Sequence, residues 1–197
     1  MEKIDHFKAF TDYLSQSIPL EVDEIEFLQN TVPIKKYGKG EFLLQAGQIS
    51  KEFFFNCEGF VRLYYLQEGE EKTAYFYGSN CFISAYSSFM RQKPATFFLQ
   101  ATEDTFVASI SIESSEKILA FSSKFESLAR LAMEEEMISL QEIIASLLTL
   151  RPEERYAEML TKTPEVFQKV PQLQIASYLG VKPESLSRIK KRFKERS

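Results

Sequence analysis

The sequence predicts an α+β chain: an antiparallel β-roll with flanking helices, then a long helix, then a C-terminal helix-turn-helix. Three observations lead there. Between Val32 and Ser111, short runs rich in Phe, Tyr, Val and Ile alternate with turn residues. Beyond Ser111, apolar residues recur at helical spacing to the end of the chain. Residues 175–189 read IASYLGVKPESLSRI, two helical stretches parted by a glycine. With 197 residues, 44% of them hydrophobic and 26% charged, the chain has the composition of a folded protein of one large or two small domains.

The first thirty residues read as two short helices. Ile4, Phe7, Phe10 and Leu14 recur at helical spacing, and Ile25, Phe27 and Leu28 mark a second apolar face after Pro19. From Val32 the period changes. Gly38-Lys39-Gly40, Ala46-Gly47, Glu58-Gly59, Glu68-Gly69 and Gly78-Ser79-Asn80 punctuate the aromatic runs, as in an antiparallel sandwich or barrel. Val61–Leu66 and Thr73–Tyr77 flank Glu68-Gly69 and predict a hairpin. Phe97–Leu99 and Phe106–Ile110 supply two late strands, and the β region closes near Ser111.

A long helix follows. From about Phe125 to Leu150, Met133, Met137, Leu140, Ile144 and Leu147 are spaced 4, 3, 4, 3, a heptad seam. The run Glu134-Glu135-Glu136 is expected on its solvent side. Such a seam suits a dimerisation helix, so a homodimer is expected. Widened by Ile143 and Leu148, the same stripe would also serve a helix packed on its own domain. Arg151-Pro152-Glu153-Glu154 marks the next boundary, with Pro152 at a first helical position. A helix from about Glu153 to Thr161 comes next, and Thr163-Pro164 and Val170-Pro171 interrupt the chain after it.

Chemistry that the inventory excludes is equally informative. Cys57, Cys81 and His6 are the whole supply of soft and imidazole ligands. Structural zinc takes about four of these, and an iron–sulfur cluster about four thiolates. Neither a metal nor another cofactor is expected, and the three read as a surface histidine and two small buried cysteines. A histidine triad has only His6 to draw on, so no catalytic residue is assigned. No apolar run nears the roughly 18 residues of a membrane span, so no membrane contact is expected. Met1–Asp5 opens without a secretory pattern, and the chain is expected in the cytoplasm.

Charge is unevenly spread. Residues 151–197 hold 11 Lys+Arg against 6 Asp+Glu, whereas the whole chain carries −4. An acidic body with a basic end suggests nucleic-acid binding at that end. Within it, Ile175, Ala176, Leu179, Gly180, Val181, Leu186 and Ile189 fall where a helix-turn-helix needs them. Small Ala176 lets the second helix cross close to the first, and Gly180 supplies the positive φ of the turn. Pro183 fits the first turn of the second helix. The capping position before it holds Lys182, which has no side-chain acceptor for a cap but is placed to reach a phosphate. The outer face carries Glu184, Ser185, Ser187, Arg188, Lys191 and Arg192, groups that a DNA major groove accepts.

A β domain, a long helix and a terminal helix-turn-helix together resemble the Crp/Fnr superfamily of bacterial transcription regulators, from about Lys36 onward. Gly38–Gly47 is similar to the family's strand and turn before the roll, and Phe53-Phe54-Phe55 with Gly59 to the strand and turn that follow. Arg155-Tyr156 through Ile189 looks like the family's C-terminal helices. The resemblance implies a cyclic-nucleotide-binding-like jelly roll in an effector-type domain over 1–122. It further implies a dimerisation helix over 123–150 and a DNA-binding domain over 151–197. It implies a homodimeric regulator on double-stranded DNA with an inverted-repeat operator. RNA polymerase and an unidentified small-molecule effector are its other implied partners. Glu184 and Arg188 would then face base edges, while Lys182, Ser185, Lys191 and Lys194 lie toward phosphates, with Lys190, Arg192 and Arg196 nearby.

Departures from the family narrow the effector. Cyclic-nucleotide binders carry a Gly-Glu pair and an Arg-Ser-Ala step, whose carboxylate and guanidinium hold the ribose and the phosphate. Here the first aligns with Ser84-Ala85 and the second with Ala95-Thr96-Phe97, so both anchors are alanine. Cyclic AMP is therefore not the expected effector. An aromatic pocket lined by Phe82, Ser84, Tyr86, Phe89, Thr96, Phe97 and Phe98 is expected instead, although the same aromatics would equally serve as core. The competing reading is a ligand-sensing or protein-interaction module that does not bind DNA. A cupin-type enzyme is rejected, because its barrel needs several histidines and His6 lies outside the roll.

Overall fold

The computed structural model describes residues 5–194. Helices α1 (His6–Ser17) and α2 (Val22–Thr31) come first. Asp5 caps α1 by accepting from the Phe7 and Lys8 N–H groups, each at 3.1 Å. The strands that follow are β1 (Ile34–Tyr37), β2 (Phe42–Leu44), β3 (Glu52–Glu58), β4 (Val61–Gln67), β5 (Glu70–Tyr77), β6 (Cys81–Ile83), β7 (Phe98–Ala101) and β8 (Thr105–Ser111). A short helix, α3 (Tyr86–Arg91), joins β6 to β7. They form two four-stranded antiparallel sheets, ordered β1-β8-β3-β6 and β2-β7-β4-β5.

Strand alternation builds two cores from one sheet. Phe54, Ile83 and Val107 point between the sheets and meet Leu44, Val61, Tyr77 and Leu99. Their neighbours Phe55, Phe82 and Ala108 point out of the roll and pack against Phe10, Leu14 and Leu28 of the first helices. The β4–β5 hairpin turns at Glu68 (φ 54°) and Gly69 (φ 82°), the two left-handed residues of a type I′ turn. Between β3 and β4, Gly59 (φ 101°) is tightly constrained. A Cβ there would lie 2.5 Å from Thr105 Oγ1 and 2.8 Å from the Asp104 carbonyl.

Helix α4 (Ile112–Phe121) leads into α5 (Ser123–Thr149), 27 residues long and hence about 40 Å. The first turns of α5 are buried through Phe125 and Leu128, which join the core outside the roll. After a start at which Glu154 accepts from the Arg151 N–H at 2.8 Å, α6 (Pro152–Lys162), α7 (Val166–Lys169), α8 (Gln172–Leu179) and α9 (Pro183–Lys194) complete the described chain. The one-turn α7 is absent from the sequence expectation, because a four-residue helix shows no period to read.

A third core ties these helices to the roll. Ile175, Ala176, Leu179, Leu186 and Ile189 pack with Tyr156, Met159, Val166 and Val170, and with Phe60 and Phe76 from the roll. Ser177 reinforces the joint at the edge strand β5: its hydroxyl accepts from the Thr73 N–H at 3.0 Å and donates to the Glu71 carbonyl at 2.8 Å. Behind that edge Arg62, only 1% exposed, bonds Thr73 Oγ1 at 2.8 Å and Glu71 at 2.5 Å, and lies 4.3 Å over the Tyr64 ring.

Candidate functional site

The candidate site is the outer surface of α9, presented by the turn from α8. Two hydrogen bonds close that turn, Gly180 N–H to Ser177 O at 3.1 Å and Val181 N–H to Ala176 O at 3.0 Å. Gly180 sits at φ 69°, so the helix ends in a Schellman turn that suits glycine. The Ser185 and Leu186 N–H groups then bond the Lys182 carbonyl and start α9. Leu186 and Ile189 face inward and are buried, and this fixes which residues face outward.

Lys182, Glu184, Ser187, Arg188, Lys191, Arg192 and Lys194 are exposed, and Ser185 is half-buried. The sequence-predicted contact residues are thus on α9, apart from Lys182, which immediately precedes it. Their arrangement is partly set by local bonds. Arg188 donates to Ser185 Oγ at 3.1 Å, and Ser187 Oγ donates to the Pro183 carbonyl at 3.1 Å. Arg192 lies 3.6 Å from Glu153 at the start of α6. Lys190 turns partly inward over the Phe167 ring at 5.8 Å, and burial lowers its ammonium pKa. Arg196 lies outside the described residues, as does Ile4.

Helix α5 has two unlike faces. Met133, Met137, Leu140, Ile144 and Leu147 are 48–63% exposed and form one outward apolar stripe. Tyr86 reaches it from α3, its hydroxyl 3.7 Å from Met133 Sδ. Ile143, by contrast, turns toward the body, beside Tyr75 and Met159. Glu136 departs from expectation. Glu134 and Glu135 are exposed, but Glu136 is half-buried, and desolvation raises its carboxyl pKa. A run of three glutamates spans more than a third of the helical circumference, so the three cannot all face solvent.

The predicted aromatic pocket is not assembled as one wall. Phe82 points out of the roll against Phe55 and Tyr13, with ring centres 5.2 and 6.1 Å away. Phe89 meets Phe53 edge-on at 5.4 Å. Phe98 stacks on Tyr64 at 4.8 Å from the other sheet, and Phe97 contacts Tyr65 at 5.7 Å. Ser84 is half-buried, and Thr96 and Tyr86 are exposed. Strand pleating separates residues that are adjacent in sequence. Ala85 and Ala95 are buried in the core between the sheets, with Ile83 and Leu99.

His6, expected on the surface, is instead largely covered, stacked at 3.9 Å on Phe106 and 3.4 Å from Glu58. Burial raises the Cys57 thiol to about 11 and the Cys81 thiol to about 12, so both stay protonated and unreactive at neutral pH. Among the described residues no three His, Cys, Asp or Glu side chains are grouped to hold a metal ion, and no helix is long and apolar enough to cross a membrane.

Residues 34–121 match the cyclic nucleotide-binding domain family. The match runs from β1 to the end of α4, so it covers the roll and stops short of α5. The roll and the helices after it also superpose on solved structures of other proteins. The c-di-GMP responsive global regulator CLP of Xanthomonas campestris aligns at TM-score 0.68 and 16% identity, over 89% of this chain and 92% of that one. FixK2 from Bradyrhizobium japonicum aligns at TM-score 0.68 and 18% identity, over 84% and 85%. The catabolite activator protein of Thermus thermophilus aligns at TM-score 0.56 and 17% identity, over 93% and 87%. At such identities the likeness establishes the fold. No curated protein sequence matches the chain.

Sequence reasoning passed over Arg155, Ser177 and the Arg62 cluster. Arg155 had a signal available: it precedes Tyr156 and stands four residues before Met159 on the buried face of α6, an odd place for a guanidinium.

Proposed function

We propose that this chain is a homodimeric, cytoplasmic DNA-binding transcription regulator whose roll does not take cyclic AMP. One observation carries the reading. The α8–turn–α9 unit buries Ile175, Ala176, Leu179, Leu186 and Ile189, with half-buried Val181 packed against them, and turns Lys182, Glu184, Ser187, Arg188, Lys191, Arg192 and Lys194 outward. A helix with that surface enters a major groove, its long cations reaching base edges and phosphates.

The fold shared with CLP, FixK2 and the catabolite activator protein supports this assignment, since the first is described as a global regulator and the last as an activator. The outward stripe of α5 supports the dimer: five large apolar side chains on one face of one helix are what a second copy of that helix would cover. Alanine at 85 and 95 supports an effector other than cyclic AMP, because neither offers a carboxylate or a guanidinium to a ribose phosphate. RNA polymerase is the further partner this reading implies.

Selection of bound fragments from random duplex DNA at a stated salt concentration tests it. Enriched inverted repeats with half-site centres about 34 Å apart are expected. Enrichment of nothing beyond what scrambled duplexes give removes the DNA-binding assignment and leaves the sensing or protein-interaction module.

A further inference from the structure

Helix α9 carries two serines that use their hydroxyls differently. Ser187 donates to the Pro183 carbonyl at 3.1 Å, the backbone bond that a serine inside a helix ordinarily makes. Ser185 Oγ instead accepts from Arg188 Nη2 at 3.1 Å. The place of that oxygen is fixed by its surroundings. The Ser185 and Leu186 N–H groups bond the Lys182 carbonyl at 2.9 and 3.1 Å, and Leu186 beside it is fully buried. Ser185 is half-buried, whereas Arg188 is exposed. An anchored hydroxyl thus holds a long side chain that has many rotamers to lose.

Helical spacing offers Arg188 a second partner. Glu184 stands one turn earlier on the same exposed face, where an ion pair with an arginine is favourable. Arg188 bonds Ser185 and does not form that pair. Arg192, by contrast, does meet a carboxylate, Glu153 at 3.6 Å. The difference matters in a groove. Pairing with Glu184 would neutralise the guanidinium and occupy the carboxylate together. A bond to a neutral hydroxyl takes one guanidinium N–H and leaves the positive charge uncompensated. The remaining donors suffice for the two-pronged contact that guanine O6 and N7 accept, and the Glu184 oxygens are left for a cytosine N4 amine.

We propose that Ser185 is a positioning residue for base reading: it holds the Arg188 guanidinium away from Glu184, so that the two side chains make separate contacts with neighbouring base pairs. Register alone sets Ser185 toward phosphates, and its bond to Arg188 gives it this other task. The role in base reading rests on the DNA-binding reading of α9, whereas the tie between Ser185 and Arg188 does not.

Two measurements on the full chain test it. Alanine is a better helix former than serine, so Ser185→Ala keeps α9 intact. Without DNA, Glu184→Gln should move the side-chain nitrogen NMR resonance of Arg188 when residue 185 is alanine and leave it in place when residue 185 is serine. With DNA, binding is compared between the duplex selected from random fragments and duplexes altered at the base pair whose preference Arg188→Ala relaxes. Ser185→Ala should lower the preference at that pair about fivefold, the worth of one hydrogen bond at about 1 kcal/mol. Adding Glu184→Gln to Ser185→Ala should restore it, which a phosphate contact or a packing role for Ser185 would not produce. Unaltered preference in Ser185→Ala, an equal loss on every duplex, no restoration by Glu184→Gln, or a resonance that Glu184→Gln moves alike in both backgrounds overturns the proposal. With the parent still selecting its duplex, each of those outcomes strikes the Ser185 role alone. A parent that selects no sequence removes the DNA-binding reading and this role with it.

Discussion

Helix α9 and strand β6 treat neighbouring residues in opposite ways. Along α9, Leu186 and Ile189 turn inward while Glu184, Arg188, Lys191 and Arg192 stay outside, so spacing alone sorts surface from core. Along β6, Cys81 and Ile83 face the core between the sheets while Phe82 faces the first helices. Its cross-strand partner is Phe55, 27 positions earlier in the chain. A binding surface on one helix is local in sequence. A cavity in a roll is made by pairings that sequence spacing does not announce.

The joint between these regions gives the strongest test of that contrast. Phe60 belongs to the roll by sequence but is buried among Tyr156, Met159 and Val166. Phe60→Ala should cost about 3–5 kcal/mol, measured by urea unfolding, and should raise hydrogen exchange in α8. Unchanged exchange there would show that roll and helices do not share a core.

Next in size is Ile144→Lys on the outward face of α5, where the side chain is 56% exposed. A lysine there costs several kcal/mol, on the order of 2–7, if a second copy buries it, and about 0.5 kcal/mol or less if nothing does. Sedimentation should show the parent as a dimer and the variant at half its mass. Equal masses would return the stripe to solvent.

On α9, Arg188→Ala should cost about 1–3 kcal/mol on the best duplex and relax preference at one base pair per half-site. Lys191→Ala should weaken all duplexes alike and lower the salt slope by about one unit. Equal losses on specific and scrambled DNA for Arg188→Ala would remove it from base reading.

The smallest effect belongs to Glu136. Burial raises its folded-state carboxyl pKa, so its ionised form is the unfavourable one in the fold. The stability it contributes is present at pH below the ordinary carboxylate value and lost as pH rises through the folded value. Glu136→Gln should therefore raise Tm slightly at neutral pH, with the gain fading on acidification. A gain that persists in acid would assign it to packing.

Legibility followed the same division. The β4–β5 hairpin was readable because Glu68-Gly69 is a local turn signal, and the α8–α9 pair because Gly180 and four buried aliphatics fall in register. Met133 to Leu147 were readable as one face of α5, since the helix repeats itself. The aromatic residues near 82 and 97 were not, because sheet pairing sends them to different sides. The place of Arg155 was hidden for a related reason, since the Tyr178 carbonyl and ring that it meets lie 23 positions further along the chain.

Ser177 has a consequence for solubility. Strand β5 is the outer strand of its sheet, and an outer strand with free backbone groups invites another chain to pair with it. By occupying the Thr73 N–H and the Glu71 carbonyl, Ser177 makes α8 the cover of that edge. Lifting α8 and α9 off the roll would uncover an outer strand whose free backbone groups another chain could pair with. Small pivots about the Ser177 contact keep the edge covered, whereas wholesale undocking does not.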